Sequence, residues 1–352
     1  MGSTLQTQGR AADPTIIDGI GFSQPPNAFI ADRLPIVVPA RGAAYRGNIN
    51  SFPLAMFGGD ANLVTGSAIK RASGSEYRSA YNGHRKVSTS YECAERALRT
   101  VIDQQDIDRS GGDANRVRAQ LILPEYLTIK LEKEYAVAAA VFATATYPNA
   151  AVGALDGGAQ VAWTSAGSDP TKDGLAMREK IRTATGVYPS FAVISHDVAL
   201  HLAQHPQTLG VRVYGDLSDG PTSQAVQSMS VSFDDVCTIW AKRWQLAGGV
   251  FVTDALYNSA MPGQAASLSE ISAGKVAFHC NQGIFGAFQL GNDIELGAGP
   301  VSLVMPMESE FRHDEYVCDN PIGEAHVLRH SYGLAVPSNM TSCAYILTGT
   351  VG

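Results

Sequence analysis

Residues 163–206 read WTSAGSDPTKDGLAMREKIRTATGVYPSFAVISHDVALHLAQHP. The boundaries of three elements are marked in this one stretch. Pro170 opens a helix over TKDGLAMREKIRTATG, because its fixed φ and missing N–H suit a first turn. Gly186 closes that helix as a C-terminal cap. PSFAVIS (189–195) is an apolar run too short for a helix and predicts a buried strand. Ser195 then caps a second helix, HDVALHLAQH, with Asp197 in the first turn, where the helix dipole favours a negative charge. Helix, strand and helix together predict an α/β lobe.

The same stretch raises a question of chemistry, since Ser195, His196 and Asp197 stand side by side. Triad members meet across a fold, whereas consecutive helix residues point about 100° apart. No G-x-S-x-G elbow surrounds Ser195. Helix capping accounts for Ser195 and Asp197. His201 and His205 share a helix face, but HLAQH lacks the glutamate of H-E-x-x-H and no third ligand is in view, so a surface pair is expected. His326 and His330 share a strand face too far apart to chelate together easily. DIDRSGGDANRV (106–117) has Gly111 at the sixth position of a calcium loop but Val117 where the bidentate glutamate belongs. GGDAN (58–62) has no lysine for a phosphate, and no G-x-G-x-x-G follows a strand. Trp163, Trp240 and Trp244 are expected in the core. These residues assemble no catalytic, cofactor or metal site, and the chain reads as not an enzyme.

Downstream, strands are expected at 236–246 (VCTIWAKRWQL), 249–253 and 275–280, then at 299–311, 324–335 and 341–350, with TSCAYILTGT as the closing strand. Upstream, 92–104 (CAERALRTVIDQQ) predicts a short helix and 113–146 a long one with Asp113 as N-cap. Val117, Leu121, Leu131, Tyr135, Ala138 and Phe142 recur at helical spacing, with Glu125, Glu132 and Glu134 off that stripe. Pro124 predicts a kink or a restart. Ahead of these helices, SEYRSAYNGHRKVSTSYE (75–92) carries Asn82-Gly83, a strong hairpin signal. Tyr77, Ser79 and Tyr81 share one face, and Val87, Thr89 and Tyr91 share a face on the return strand. A two-stranded hairpin is marginal alone and needs a partner surface. It is basic: Lys70, Arg71, Arg78, His84, Arg85 and Lys86. Residues 1–53 hold six prolines and little periodicity, and read as an extended arm whose LPIVVPA (34–40) lies against something.

The bulk numbers narrow the class. The chain has 352 residues, 45% hydrophobic and 17% charged, with a net charge of -7. That balance excludes a protein coating nucleic acid through a basic surface, though not one that encloses it. Cys93, Cys237, Cys280, Cys318 and Cys343 are odd in number and form no CxxC pair, so a disulfide framework or zinc ribbon is not expected. MGSTLQTQGRAADPT is polar, without the apolar core of a signal peptide. The longest apolar run, 136–143, falls far short of the ~18 residues of a membrane span. A soluble protein retained in the producing cell is expected.

Trp163, Asp169 and Pro170 form a W-x(n)-D-P pattern before a helix. Thr185, Gly186, Pro189 and Ser195 follow as T-G-x-x-P-x-x-h-h-h-S, where h is apolar, and Leu202, His205 and Pro206 end the next helix as L-x-x-H-P. With FDDVCTIWAKRWQL (233–246) and GKVAFHC (274–280), the chain resembles the major capsid proteins of tailed double-stranded DNA phages, over roughly residues 80 to 350. The resemblance implies an α+β fold of the Hong Kong 97 type. Its parts would be an N-terminal arm (1–53), an extended β-hairpin loop (54–91), a spine helix with the start of a peripheral domain (92–162), an axial α/β domain (163–283) and peripheral β-strands (284–352).

It further implies pentamers and hexamers closing an icosahedral shell around double-stranded DNA in a virion, with no membrane and no cofactor. No long charged helical segment serves as a fused scaffold, which implies a separate scaffolding protein beside a portal and a decoration protein. No lysine can be assigned to self-crosslinking. Arg78, Arg85 and Lys86 are expected to meet Glu125, Glu132 or Glu134 of a neighbour's spine helix. Two other readings stand beside this one: an encapsulin-like nanocompartment shell, and an α/β enzyme using Ser195 or the histidines.

Overall fold

A computed structural model describes residues 29–38, 43–51, 87–111, 114–155, 161–165, 167–209, 231–258, 265, 267–281, 287–296, 299–319 and 322–351. The first strands are β1 (Arg46–Ser51), β2 (Val87–Glu92) and β3 (Ala94–Asp103), followed by helices α1 (Gln104–Arg109) and α2 (Ala114–Val141). The lobe contains β4 (Asn149–Ala151), α3 (Pro170–Thr185), β5 (Phe191–Ser195), α4 (His196–Gln204), α5 (Phe233–Arg243) and β6 (Val250–Thr253). Then come β7 (Leu256–Asn258), β8 (Leu268–Glu270), β9 (Lys275–His279), β10 (Ala287–Leu290) and β11 (Asp293–Leu296). The long strands β12 (Met307–Asp319) and β13 (Ile322–Tyr332) precede β14 (Ala344–Thr348).

The quoted stretch folds as its punctuation predicts. Asp169 caps α3 by accepting the Lys172 N–H at 3.1 Å, and Gly186 ends it at φ 79, donating to the Arg182 carbonyl at 2.7 Å. Every residue of β5 is buried. It lies in a five-stranded sheet ordered β4-β14-β9-β5-β6. Trp163, Trp240 and Trp244 are core, with Met177, Ile181, Ile194 and Phe278. β14 joins this sheet instead of the long strands, so the expected boundary at 284 is crossed by the chain's closing strand.

Two expected elements change type. Residues 94–103 form a strand, not a helix: β3 pairs antiparallel with β13 from Ala94–Tyr332 to Asp103–Gly323. A ten-residue ladder on the β12–β13 pair outweighs the helix propensity of alanine, leucine, arginine and glutamate. Residues 233–243 form helix α5, not a strand. Ser232 caps it through the Asp235 N–H, Asp234 and Asp235 occupy its first turn, and Val236 and Trp240 repeat at a four-residue spacing that buries both.

α2 is continuous through Pro124, so the expected restart does not occur, and Thr128 Oγ1 donates to the Pro124 carbonyl at 2.8 Å. Asp113 lies outside the described residues. The expected stripe is buried in part: Val117, Ala138 and Phe142 face inward with Ile122, Ile129, Val137 and Val141, while Leu121 and Tyr135 are 39% and 46% exposed. β2 pairs with β1, and β1 also pairs parallel with β11, giving the sheet β10-β11-β1-β2. The described part of the arm, residues 29–38, lies on the body. Ile30, Ala31 and Leu34 pack with α2, and Val37 bridges to Val304.

His279 on β9 shows how the lobe treats a titratable group. It is fully buried, with Nε2 facing the Val141 carbonyl at 3.2 Å and Nδ1 facing Ser302 Oγ at 3.0 Å. A carbonyl accepts only, so Nε2 carries the proton and Ser302 donates to Nδ1. Burial lowers its pKa from 6.5 to about 4. The unfolded chain therefore binds this proton first, and the stability that the neutral ring contributes is lost as pH falls below 6.5 toward 4. The ring is expected to stay neutral between pH 7 and about pH 5. Histidine side-chain chemical shifts check this, and a titration midpoint near 6.5 would contradict the burial argument.

Candidate assembly surface

The residues expected at a subunit contact divide into two groups. Arg78, Arg85 and Lys86 lie outside the described residues, as does the Asn82-Gly83 turn. The root of that segment is described. Ser51 pairs with Val87, so residues 52–86 leave and rejoin one sheet at one place. Val87, Thr89 and Tyr91 share the more buried face of β2, as the alternation predicts.

The three glutamates on α2 have different fates. Glu132 accepts from Arg96 Nε at 2.6 Å and from the Tyr332 hydroxyl at 3.0 Å, and stays 44% exposed. Glu125 is half-buried, and its Oε2 is buried without a hydrogen bond among the described residues. Glu134 corrects the expectation: it is fully buried inside its own chain and accepts the backbone N–H groups of Ile30 and Ala31. A side chain enclosed in that way cannot meet a neighbour's hairpin.

Among the described residues, α2 also leaves an open side, on which Leu121 and Tyr135 are exposed. Beside its open side lies a cleft of about 390 Å³, formed by Phe29, Leu127, Thr128, Leu131 and the Asp254–Leu256 segment. Leu256 and Leu268 of the β7–β8 ribbon add exposed apolar surface. Sequence reasoning missed this face because the stripe Leu121, Leu131 and Tyr135 reads as core.

The catalytic candidates do not form a relay. Ser195 Oγ donates to Asp197, whose other oxygen takes the Gly274 N–H at 2.7 Å, while His196 faces Asp254 at 2.8 Å. Ser195 occupies the cap position but makes no side-chain bond to the helix backbone. The expected surface pair of histidines is also corrected, since His205 is buried and ends α4. Its Nδ1 accepts the Gln207 N–H at 3.2 Å, which leaves the proton on Nε2, facing Ser168 Oγ at 3.2 Å. That nitrogen cannot serve as a base for Ser168.

Glu315, Glu324 and His326 offer atoms within 4.8 Å of one another. A cation already sits there: Arg118 Nε donates to Glu324 Oε2 at 2.7 Å, and its Nη2 lies 3.7 Å from Glu315. The guanidinium holds the Glu324 carboxyl below its ordinary value. His326 Nδ1 meets His313 Nε2 at 2.8 Å. The cluster ties α2 to the long strands, and a metal ion would have to displace Arg118. All five cysteines are free thiols. Among the described residues, no helix is long and apolar enough to cross a membrane.

No protein-family model and no curated protein matches the sequence. Solved structures do match the fold. A phage-related protein from Bordetella bronchiseptica superposes with a TM-score of 0.63 at 17% identity, covering 97% of this chain and 99% of that one. A capsid structure of the cyanophage P-SCSP1u gives 0.51 at 11% identity, covering 93% and 90%. The fold is that of a phage capsid protein. A virus-like particle from Pyrococcus furiosus also matches the capsid-like chain at 0.51 and 11% identity, covering 95% and 96%. Each match covers at least 90% of both chains.

Proposed function

We propose that the chain is a major capsid protein of the Hong Kong 97 type, which assembles as pentamers and hexamers into an icosahedral shell around double-stranded DNA. The observation that carries this reading is the near-full-length fold match, at 93% of this chain, to a cyanophage capsid structure. The exposed Leu121, Tyr135, Leu256 and Leu268 support it, because a second subunit would bury them. The arm would comprise residues 1–53 and the extended hairpin 54–91. The spine helix would lie within 92–162, the axial lobe would span 163–283 with β14 added, and the remaining strands of 284–352 would be peripheral. Arg78, Arg85 and Lys86 would meet Glu125 and Glu132 of a neighbour. A scaffolding protein, a portal and a decoration protein would be separate chains. The protein would be made in the host cytoplasm and end in the virion.

A nanocompartment shell filled with protein is the second reading, favoured by the match to a virus-like particle. Expression of the chain, alone and with a scaffolding protein, followed by light scattering and negative-stain electron microscopy, tests both. Closed shells or capsomers support a shell protein, and nucleic acid or protein inside separates the two readings. A monodisperse monomer under both conditions overturns them.

A further inference from the structure

The arm crosses α2 at one turn. There the N–H groups of Ile30 and Ala31 donate to the two carboxylate oxygens of Glu134, at 3.0 and 2.8 Å. The next residue, Asp32, meets Lys133 at 2.9 Å and Lys130 at 3.3 Å, both on the same helix. The turn closes on itself through Leu34 N–H to the Ile30 carbonyl at 2.8 Å, and Ile30, Ala31 and Leu34 are buried with Val137 and Val141. Two carboxylates thus fasten the turn, one enclosed and one paired with cations at the rim.

We infer that the Ile30–Leu34 turn is a proton-operated latch, seated on α2 in mildly acidic solution and loosened as the solution becomes alkaline. Burial strips water from Glu134 and raises its carboxyl from 4.5 to about 7, against the pull of the two N–H bonds and Lys133. With the turn lifted off, the carboxyl faces water and returns toward 4.5. The seated state therefore binds the proton more tightly, and seating weakens as pH rises from 4.5 through 7. Asp32 behaves oppositely. Burial opposes its ionisation, but Lys133 and Lys130 outweigh that and hold it below 3.8, so its contribution is lost only in strong acid.

The other groups near the turn do not change charge across neutrality. His330 on β13 is buried and lowered to about 4. Burial pushes the Cys237 thiol on α5, near Arg33, up to about 11. The latch belongs to the folded subunit and does not depend on shell formation; its bearing on assembly rests on the shell reading above.

Amide hydrogen exchange on the unassembled full-length chain tests it, with protection expressed relative to the unstructured rate at each pH. Protection at Ile30–Leu34 is expected to fall about 30-fold between about pH 5.5 and about pH 8.5, the linkage of one carboxyl moved from 4.5 to about 7. Val193 and Ala277, in the core sheet, are the reference and should not follow. Glu134→Gln should flatten the profile. Asp32→Asn should lower protection at both pH values and lessen the slope without abolishing it, because the Asp32 charge adds to the burial that raises Glu134, and it decides the matter together with the wild type if Glu134→Gln does not fold. A flat wild-type profile, an equal slope in Glu134→Gln, or a slope lost in Asp32→Asn overturns the latch.

Discussion

Trp244→Ala is expected to destabilise the α/β lobe by about 3–5 kcal/mol. The indole is fully buried, with ring centroids of Trp240, Phe278 and Trp163 at 5.1, 5.2 and 6.0 Å. Its Nε1 donates to the Pro170 carbonyl at 3.0 Å, at the start of α3. Gly174 lies so close that a Cβ there would stand 2.2 Å from Nε1. Truncation leaves a cavity among rigid rings that cannot close around it, and it removes a buried hydrogen bond. Urea unfolding followed by circular dichroism measures the loss. A midpoint within error of the wild type would mean that the three tryptophans do not hold the lobe together.

Arg85→Glu with Lys86→Glu is expected to reduce particle yield at least about tenfold while the subunit stays folded. A loss of about 1.4 kcal/mol at one contact is already tenfold in its equilibrium constant. A shell repeats each contact at every subunit, so a modest local penalty suffices. The reversal would set like charges against Glu132, which stays 44% exposed. Light scattering and electron microscopy read the yield, and circular dichroism reads the fold. Unreduced yield would rule out the pairing, and loss of the circular dichroism signal would make the basic pair a folding determinant instead.

The parts of the fold legible in the sequence are those with local punctuation. Pro170, Gly186 and the apolar run before Ser195 mark their elements correctly because each acts through its own backbone. β3 was illegible because its partner, β13, lies more than 200 residues away and only the ladder makes AERALRTVID extended. α5 was misread for the opposite reason: its valine, isoleucine and tryptophans resemble a strand, while the Ser232 cap and the acidic first turn carried the true signal. Among the glutamates, spacing put all three off the core stripe. Only the path of the arm over α2 distinguishes Glu134, and nothing near Glu134 in sequence encodes that path.

The place of β14 has a consequence for synthesis. It lies between β4 and β9, inside the five-stranded sheet, although both come well before it in the chain. A nascent chain that stops before residue 344 leaves the ladders of β9 and β4 open and Ile346 and Leu347 missing from the interior. Such a fragment cannot complete its core and would go to proteolysis. The topology thus makes completion of the lobe wait for a segment that follows every other strand of its sheet.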